Sequence, residues 1–373
     1  MFNQFFNSEK SSAVLLIFCT IVSLVITNSS FGQSYLAFWQ ANLAGLSLEH
    51  WINDALMTIF FLLIGLELER EFYVGELSDF KKALLPIIAA LGGLTLPAVI
   101  HFCFNNGTPT QAGIGIPMAT DIAFALGALA LMGNRIPTSL KVLLTAIAVM
   151  DDLGAIIVIA VFYTSNLSVY YLIAAMVVFT VLILLNRLRV MRLLPYILGG
   201  VLMWILMLKS GIHATISGVL LAFTIPFTNK SEDKKSPSYN LEHFLHKPVA
   251  FIILPIFALA NTGIIIGADW FQGIFSANSM GILLGLVLGK PIGIMLLSFL
   301  AVMAGVCRLP GDITWRHIIG IGMLGGIGFT MSIFITNLAF ADAPDIINTS
   351  KMAIFLASLC AGFLGFVWLR LIR

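Results

Sequence analysis

The chain has 373 residues, of which 59% are hydrophobic and only 10% are Asp, Glu, Lys or Arg, with a mean hydropathy of +1.01. A soluble domain needs roughly a quarter of its residues charged to solvate its surface, so a soluble globular enzyme is excluded. The net charge of +2 is too small to point to nucleic acid. Apolar runs long enough to cross a ~30 Å hydrocarbon core as helix recur from end to end, which makes the lipid bilayer the expected surroundings.

In chain order, twelve spans are expected near residues 12–27, 49–69, 84–104, 111–132, 139–163, 169–186, 194–208, 211–226, 244–267, 279–303, 316–338 and 350–370. The first, behind Lys10, has the look of a signal-peptide core. The residues after it, Thr27, Asn28, Ser29, Ser30 and Phe31, give no small-x-small cleavage site, so it is read as a retained helix. The seventh and eighth spans are short and separated only by Lys209-Ser210-Gly211. Cys19, Cys103, Cys307 and Cys360 lie in apolar runs without metal-ligand spacing and read as small hydrophobes.

Basic residues gather on the cytoplasmic side of membrane proteins. With both termini cytoplasmic, twelve spans place 17 of the 20 Lys and Arg on that side; Lys209 and Lys351 lie opposite, and Lys290 falls inside the tenth span. A missed or invented helix in the middle would destroy that asymmetry. The chain therefore reads as one all-α polytopic transporter domain over residues 1–373, with a polar cytoplasmic loop at about 228–247, TNKSEDKKSPSYNLEHFLHK.

The fourth and eleventh spans echo one another: GIGIPMATDIAFALG at 113–127 and GIGMLGGIGFTMSIF at 320–334. Gly also serves close helix packing. Two such interruptions in corresponding places of separate halves, however, point to inverted repeats with a binding site at the breaks.

Charges at mid-membrane depth cost roughly 2.5–3.5 kcal/mol each on insertion scales, so Asp121, Asp151, Asp152 and Lys290 together carry on the order of 10 kcal/mol. That is too large for decoration. Asp151 and Asp152 follow Lys141 by about ten residues, which places them roughly 15 Å deep. Adjacent helical positions diverge by about 100°, so one carboxylate can face an ion cavity while the other meets a neighbouring helix. A structural ion pair with Lys290 accounts for one of them but not both. Two carboxylates close together in a poor solvent compete for charge and can hold protons, and their oxygens also suit a hard cation. Asp121, after Thr120, is either a local helix cap or a counter-charge to positive half-helix ends, with Lys290 facing negative ones. A buried lysine can also lose its proton, which leaves the charge state of Lys290 open.

Two polar clusters lie at span ends. GLELERE at 65–71 sets Glu67, Arg70 and Glu71 on one helix face, and LEHFLHK at 241–247 carries Glu242, His243 and His246. Each is either a solvated charged face or a pH-responsive entrance, because histidine titrates near physiological pH. The histidines suit a metal, but no third ligand stands out. Asp54 lies nearer a span end, and His213 reads as a satisfied interior histidine.

The sequence resembles the bacterial NhaA sodium/proton antiporters over nearly its whole length. The resemblance rests on WINDALM (51–57), GLELERE, ATDIAFALG (119–127), AVMDDLGAII (148–157), KSGIHAT (209–215), GKPIGI (289–294) and GIGFTMSIFI (326–335). It implies twelve helices with the interrupted fourth and eleventh crossing. Cation and proton binding would fall to Asp151 and Asp152, Lys290 would pair with Asp151, and Thr120 and Asp121 would sit at the crossing. Glu67, Arg70, Glu71, Glu242, His243 and His246 would match a pH-response region. It further implies electrogenic Na+ (and Li+) export against H+ at the bacterial inner membrane, no cofactor, and a homodimer. Tyr239 and Asn240 depart from the basic residues usual before Leu-Glu-His, which bears on the pH set point. The 28–50 segment is shorter than the family's dimerising hairpin, which bears on dimer geometry.

Two other classes compete. A passive cation channel favours rings of carbonyls or acids along a continuous pore. An intramembrane aspartyl protease uses two Asp on separate helices, one in Gly-x-Gly-Asp, whereas here the pair is adjacent and that tetrapeptide is missing.

Overall fold

The computed structural model describes residues 9–133, 136–163, 167–228, 236–267 and 270–372. Arg135, Lys230, Lys234, Lys235 and Arg373 of the expected basic rim lie outside the described residues. The chain is an all-α polytopic membrane protein. Its helices are α1 (Glu9–Thr27), α2 (Gly32–Trp39), α3 (Leu48–Tyr73), α4 (Phe80–Asn105), α5 (Ile122–Leu131), α6 (Thr138–Phe162), α7 (Val169–Arg187), α8 (Leu194–Ser210), α9 (Ile216–Ala222), α10 (Pro237–Asn261), α11 (Trp270–Ile274), α12 (Ala277–Met303), α13 (Trp315–Gly325), α14 (Phe329–Ala339) and α15 (Pro344–Leu371).

Among the described residues, nine helical stretches are long and apolar enough to cross a bilayer, and α13 with α14, bent by 46° at their break, makes a tenth. The remaining two expected spans correspond to α8, of 17 residues, and α9, of seven, both shorter than the ~20 residues of a full crossing. α8 ends on Gly211 with φ of +82°, a left-handed cap that a side chain would strain. The polar stretch at 228–247 is helical from Pro237, because Ser236 accepts a bond from the Tyr239 amide and Pro237 takes the first helical position. One small β ribbon was not expected: β1 (Asn42–Leu43) pairs antiparallel with β2 (Leu46–Ser47), turning through Ala44 and Gly45, both at positive φ.

The helices form two compact units. The first comprises residues 1–37, 79–155 and 258–373. In it α4 and α12 pack so closely that a Cβ on Gly92 would lie 2.1 Å from the Gly293 carbonyl oxygen, and a Cβ on Gly293 equally near that of Gly92. Five residues of α12, Gly285–Gly289, wind as a π-helix immediately before Lys290, the kind of irregularity that often marks a functional position. The Tyr35 hydroxyl and Ser23 both donate to the Leu259 carbonyl, and the Asn28 side chain bonds Ile264 and Ile266, which holds the non-helical run at 262–267 against α1.

The second unit comprises residues 38–78 and 156–257. Here α3 carries a π segment at Ile52–Leu56 and α10 one at Val249–Ile253. On α7 only Ala175 and Leu182 are buried, while Ile173, Val177, Val181 and Leu184 are exposed. Such a helix, apolar on its open face, is suited to lipid rather than water.

Candidate functional site

The centre of the first unit is built from two interrupted helices. The fourth apolar segment begins as a tight 3-10 helix, Pro109–Met118, passes through extended backbone at Ala119 and Asp121, and resumes as α5. The eleventh breaks between α13 and α14 at residues 326–328, where a Cβ on Gly326 would fall 2.3 Å from the Leu286 carbonyl. The breaks meet: the Asp121 amide donates to the Ile327 carbonyl at 2.6 Å, the Thr120 hydroxyl reaches the Gly325 carbonyl at 2.8 Å, and the Ser332 hydroxyl donates to the Ile116 carbonyl at 2.7 Å. Phe124 meets Phe329 edge to face at 5.1 Å.

Asp121 is the local helix cap considered for it and reaches a second helix as well. One carboxylate oxygen accepts from the Phe124 amide at 3.1 Å and caps α5; the other accepts from the Thr330 amide at 3.0 Å and from the Thr330 hydroxyl, capping α14. A single carboxyl group, 2% exposed, thus accepts from the first-turn amides of two half-helices.

Asp151, Asp152 and Lys290 are fully buried. Lys290 Nζ lies 2.5 Å from Asp151 Oδ2 and 2.9 Å from Thr120 Oγ1. Lys290 is thus held by a carboxylate and a hydroxyl. Thr120 Oγ1 is 2.7 Å from Asp151 Oδ2 as well as 2.8 Å from the Gly325 carbonyl. A hydroxyl has one proton, so it serves the carboxylate or the carbonyl, not both at once. The other oxygen, Asp151 Oδ1, is buried and accepts no hydrogen bond among the described residues. The buried central charges are thus three carboxylates, Asp121, Asp151 and Asp152, to the one ammonium of Lys290, an excess of acid at depth that suits a cation or protons.

The second cluster lies in the second unit, where α3 and α10 approach. Arg70 Nη1 donates to Glu242 Oε1 at 2.5 Å and Nη2 to Glu71 Oε1 at 3.3 Å. His246 Nε2 stands 3.4 Å from Glu67 Oε1 and 3.5 Å from Glu242 Oε1. Five of the six expected residues come together. His243 does not join them; exposed, it stacks on Tyr239 with ring centres 5.7 Å apart. His50 Nε2 pairs with Asp54 at 2.9 Å, and the His213 ring bonds the Tyr163 carbonyl at 2.9 Å.

Sequence reasoning missed two groups. Glu69, 5% exposed, accepts from the Ser238 hydroxyl at 2.7 Å; within Glu-Leu-Glu-Arg-Glu it looks like one more surface acid. Thr330, the second partner of Asp121, is marked in the sequence only by its place in the repeated glycine motif.

Comparison with known proteins agrees over the full length. A family profile described as Na+/H+ antiporter 1 matches residues 3–369. The chain is 68% identical over 369 residues to the Na+/H+ antiporter NhaA of Dechloromonas aromatica, covering 99% of this chain and 95% of that protein. It is 60% identical over 371 residues to Na+/H+ antiporter NhaA 1 of Flavobacterium johnsoniae, covering 100% and 97%, and 60% over 371 residues to the NhaA antiporter of Cytophaga hutchinsonii, covering 100% and 95%.

Proposed function

The chain belongs to the Na+/H+ antiporter 1 family, and on that premise we propose how its own residues exchange Na+ for H+. The observation that carries the reading is the buried Asp151–Lys290–Thr120 constellation with Asp152 beside it on α6. Na+ or Li+ is taken by Asp152 and Asp151. Protons arriving on the same carboxylates expel it, so cation and protons alternate on one site that opens to one side at a time. Lys290 balances Asp151 when the cation is away, and Thr120 supplies a hydroxyl to Asp151 or to Gly325. Asp121 holds the two half-helix ends in register and neutralises them. More protons than cations per cycle make the exchange electrogenic.

The chain works as one transporter domain rather than an enzyme, needs no cofactor, and resides as a homodimer in the bacterial inner membrane with both termini cytoplasmic. The Glu67, Arg70, Glu71, Glu242 and His246 cluster sets the pH response, and His243, stacked on Tyr239, stands outside it. The neighbouring positions of Asp151 and Asp152 on one helix suit competition for a cation better than a dyad activating water between two helices.

The test is Na+- and Li+-dependent collapse of an imposed pH gradient in proteoliposomes. Asp152→Asn is expected to abolish it while the purified protein stays monodisperse. Wild-type exchange in that variant would overturn the assignment.

A further inference from the structure

Glu67 and Glu242, on α3 and α10, both point at one atom, His246 Nε2, at 3.4 and 3.5 Å. Both separations exceed the 2.7–3.2 Å of an ordinary N–H···O bond, and one ring nitrogen carries one proton, which cannot serve two acceptors well. They do match the edge of a tetrahedron built on metal–ligand bonds of about 2.0–2.1 Å, which is roughly 3.3–3.4 Å. All three donor atoms lie within 4.8 Å of one another.

Charge and access agree with that geometry. Glu71 and Glu242 share a single guanidinium, that of Arg70, and Glu67 adds a third carboxylate beside His246, so with a neutral imidazole the cluster is short of positive charge. Arg70 grips Glu242, itself 3% exposed, and fixes the carboxylate as an outer-shell group fixes a ligand. His246 is 44% exposed, which leaves an open side for entry and for water as a fourth ligand. We propose that Glu67, Glu242 and His246 form a binding site for a divalent transition cation of the Zn2+ class, linking α3 to α10. One imidazole with two carboxylates favours Zn2+ over Mg2+, which prefers oxygen-only octahedral surroundings. The site goes beyond the pH-response reading of the same cluster and is tested by binding alone, so either can fail without the other.

The experiment is Zn2+ titration of the purified full-length protein in detergent, its affinity tag removed, against a chromophoric chelator. One Zn2+ per chain is expected, undisturbed by millimolar Mg2+. Glu67→Gln and His246→Ala should each weaken binding at least about tenfold, His246→Cys should retain it, and His243→Ala should leave it unchanged. In the wild-type protein, Zn2+ should also shield His246 from diethyl pyrocarbonate, read by mass spectrometry, which requires no variant to fold. Absence of stoichiometric binding, equal binding by His246→Ala, or unshielded His246 at saturating Zn2+ would each overturn the proposal.

Discussion

The backbone amide of Thr330 donates to the Asp121 carboxylate across 3.0 Å, although the two residues are 209 positions apart. The same carboxylate caps its own helix through Phe124, so one side chain closes two helices whose first-turn amides would otherwise be buried without acceptors.

Asp121→Ala removes both caps at once. Each cap is worth about 0.5–2 kcal/mol, and stranding buried donors adds to the loss, so a destabilisation of about 2–4 kcal/mol is expected. A lowered thermal midpoint in detergent would register it, with Thr330→Ser, which keeps the hydroxyl and amide, close to wild type. An Asp121→Ala protein melting with the wild type would show that neither cap carries load.

The pairing of Lys290 with Asp151 leads to a double-mutant cycle. Breaking a buried pair by removing one partner costs about 3–5 kcal/mol, because the survivor is stranded, whereas neutralising both is far milder. Lys290→Met should therefore destabilise the protein strongly, and Asp151→Asn added to it should recover part of the loss. Strictly additive unfolding energies would mean that the 2.5 Å contact is not an energetic pair.

Much of this architecture was legible in the sequence for a physical reason: a bilayer forces apolar runs of a set length and makes each exception visible. That exposed the central Asp121, Asp151, Asp152 and Lys290 as a group, and the glycine-rich motifs exposed the two breaks. The NhaA resemblance supplied the Asp151–Lys290 pairing, which spacing alone left open. What escaped was governed by other forces. The helical start at Pro237 is written in Ser236 and Pro237, but hydropathy does not register a polar first turn. The β ribbon turns on Ala44-Gly45 rather than the Asn-Gly that usually announces such a turn. The bond from Thr330 to Asp121 spans too much chain for any local pattern to reveal it.

The reciprocal contact of Gly92 and Gly293 predicts an unusually steep response to one methyl group. A Cβ at either position would stand 2.1 Å from the opposite carbonyl oxygen, so alanine there must part α4 from α12, and α12 carries Lys290. Gly92→Ala and Gly293→Ala should each depress the thermal midpoint and exchange. Gly311→Ala, whose Cβ would meet nothing within 4 Å, should change neither. Normal exchange in both helix variants would refute the close packing.

The pH dependence of exchange should separate the two histidines of LEHFLHK. His246 lies beside Glu67 and Glu242, so its protonation changes the charge that α3 presents to α10. His243 stacks on Tyr239 and is absent from the ion pairs of the cluster among the described residues. His246→Ala is therefore expected to move the midpoint of the activity–pH curve, and Glu242→Gln to move it further, because it also removes the carboxylate charge 2.5 Å from Arg70. His243→Ala should leave the midpoint in place. The comparison is made on one proteoliposome preparation series across pH at fixed Na+, with maximal rates recorded so that a loss of turnover is not mistaken for a shift. A His243→Ala midpoint displaced as far as that of His246→Ala would place the pH response on the exposed face of α10 rather than at its junction with α3.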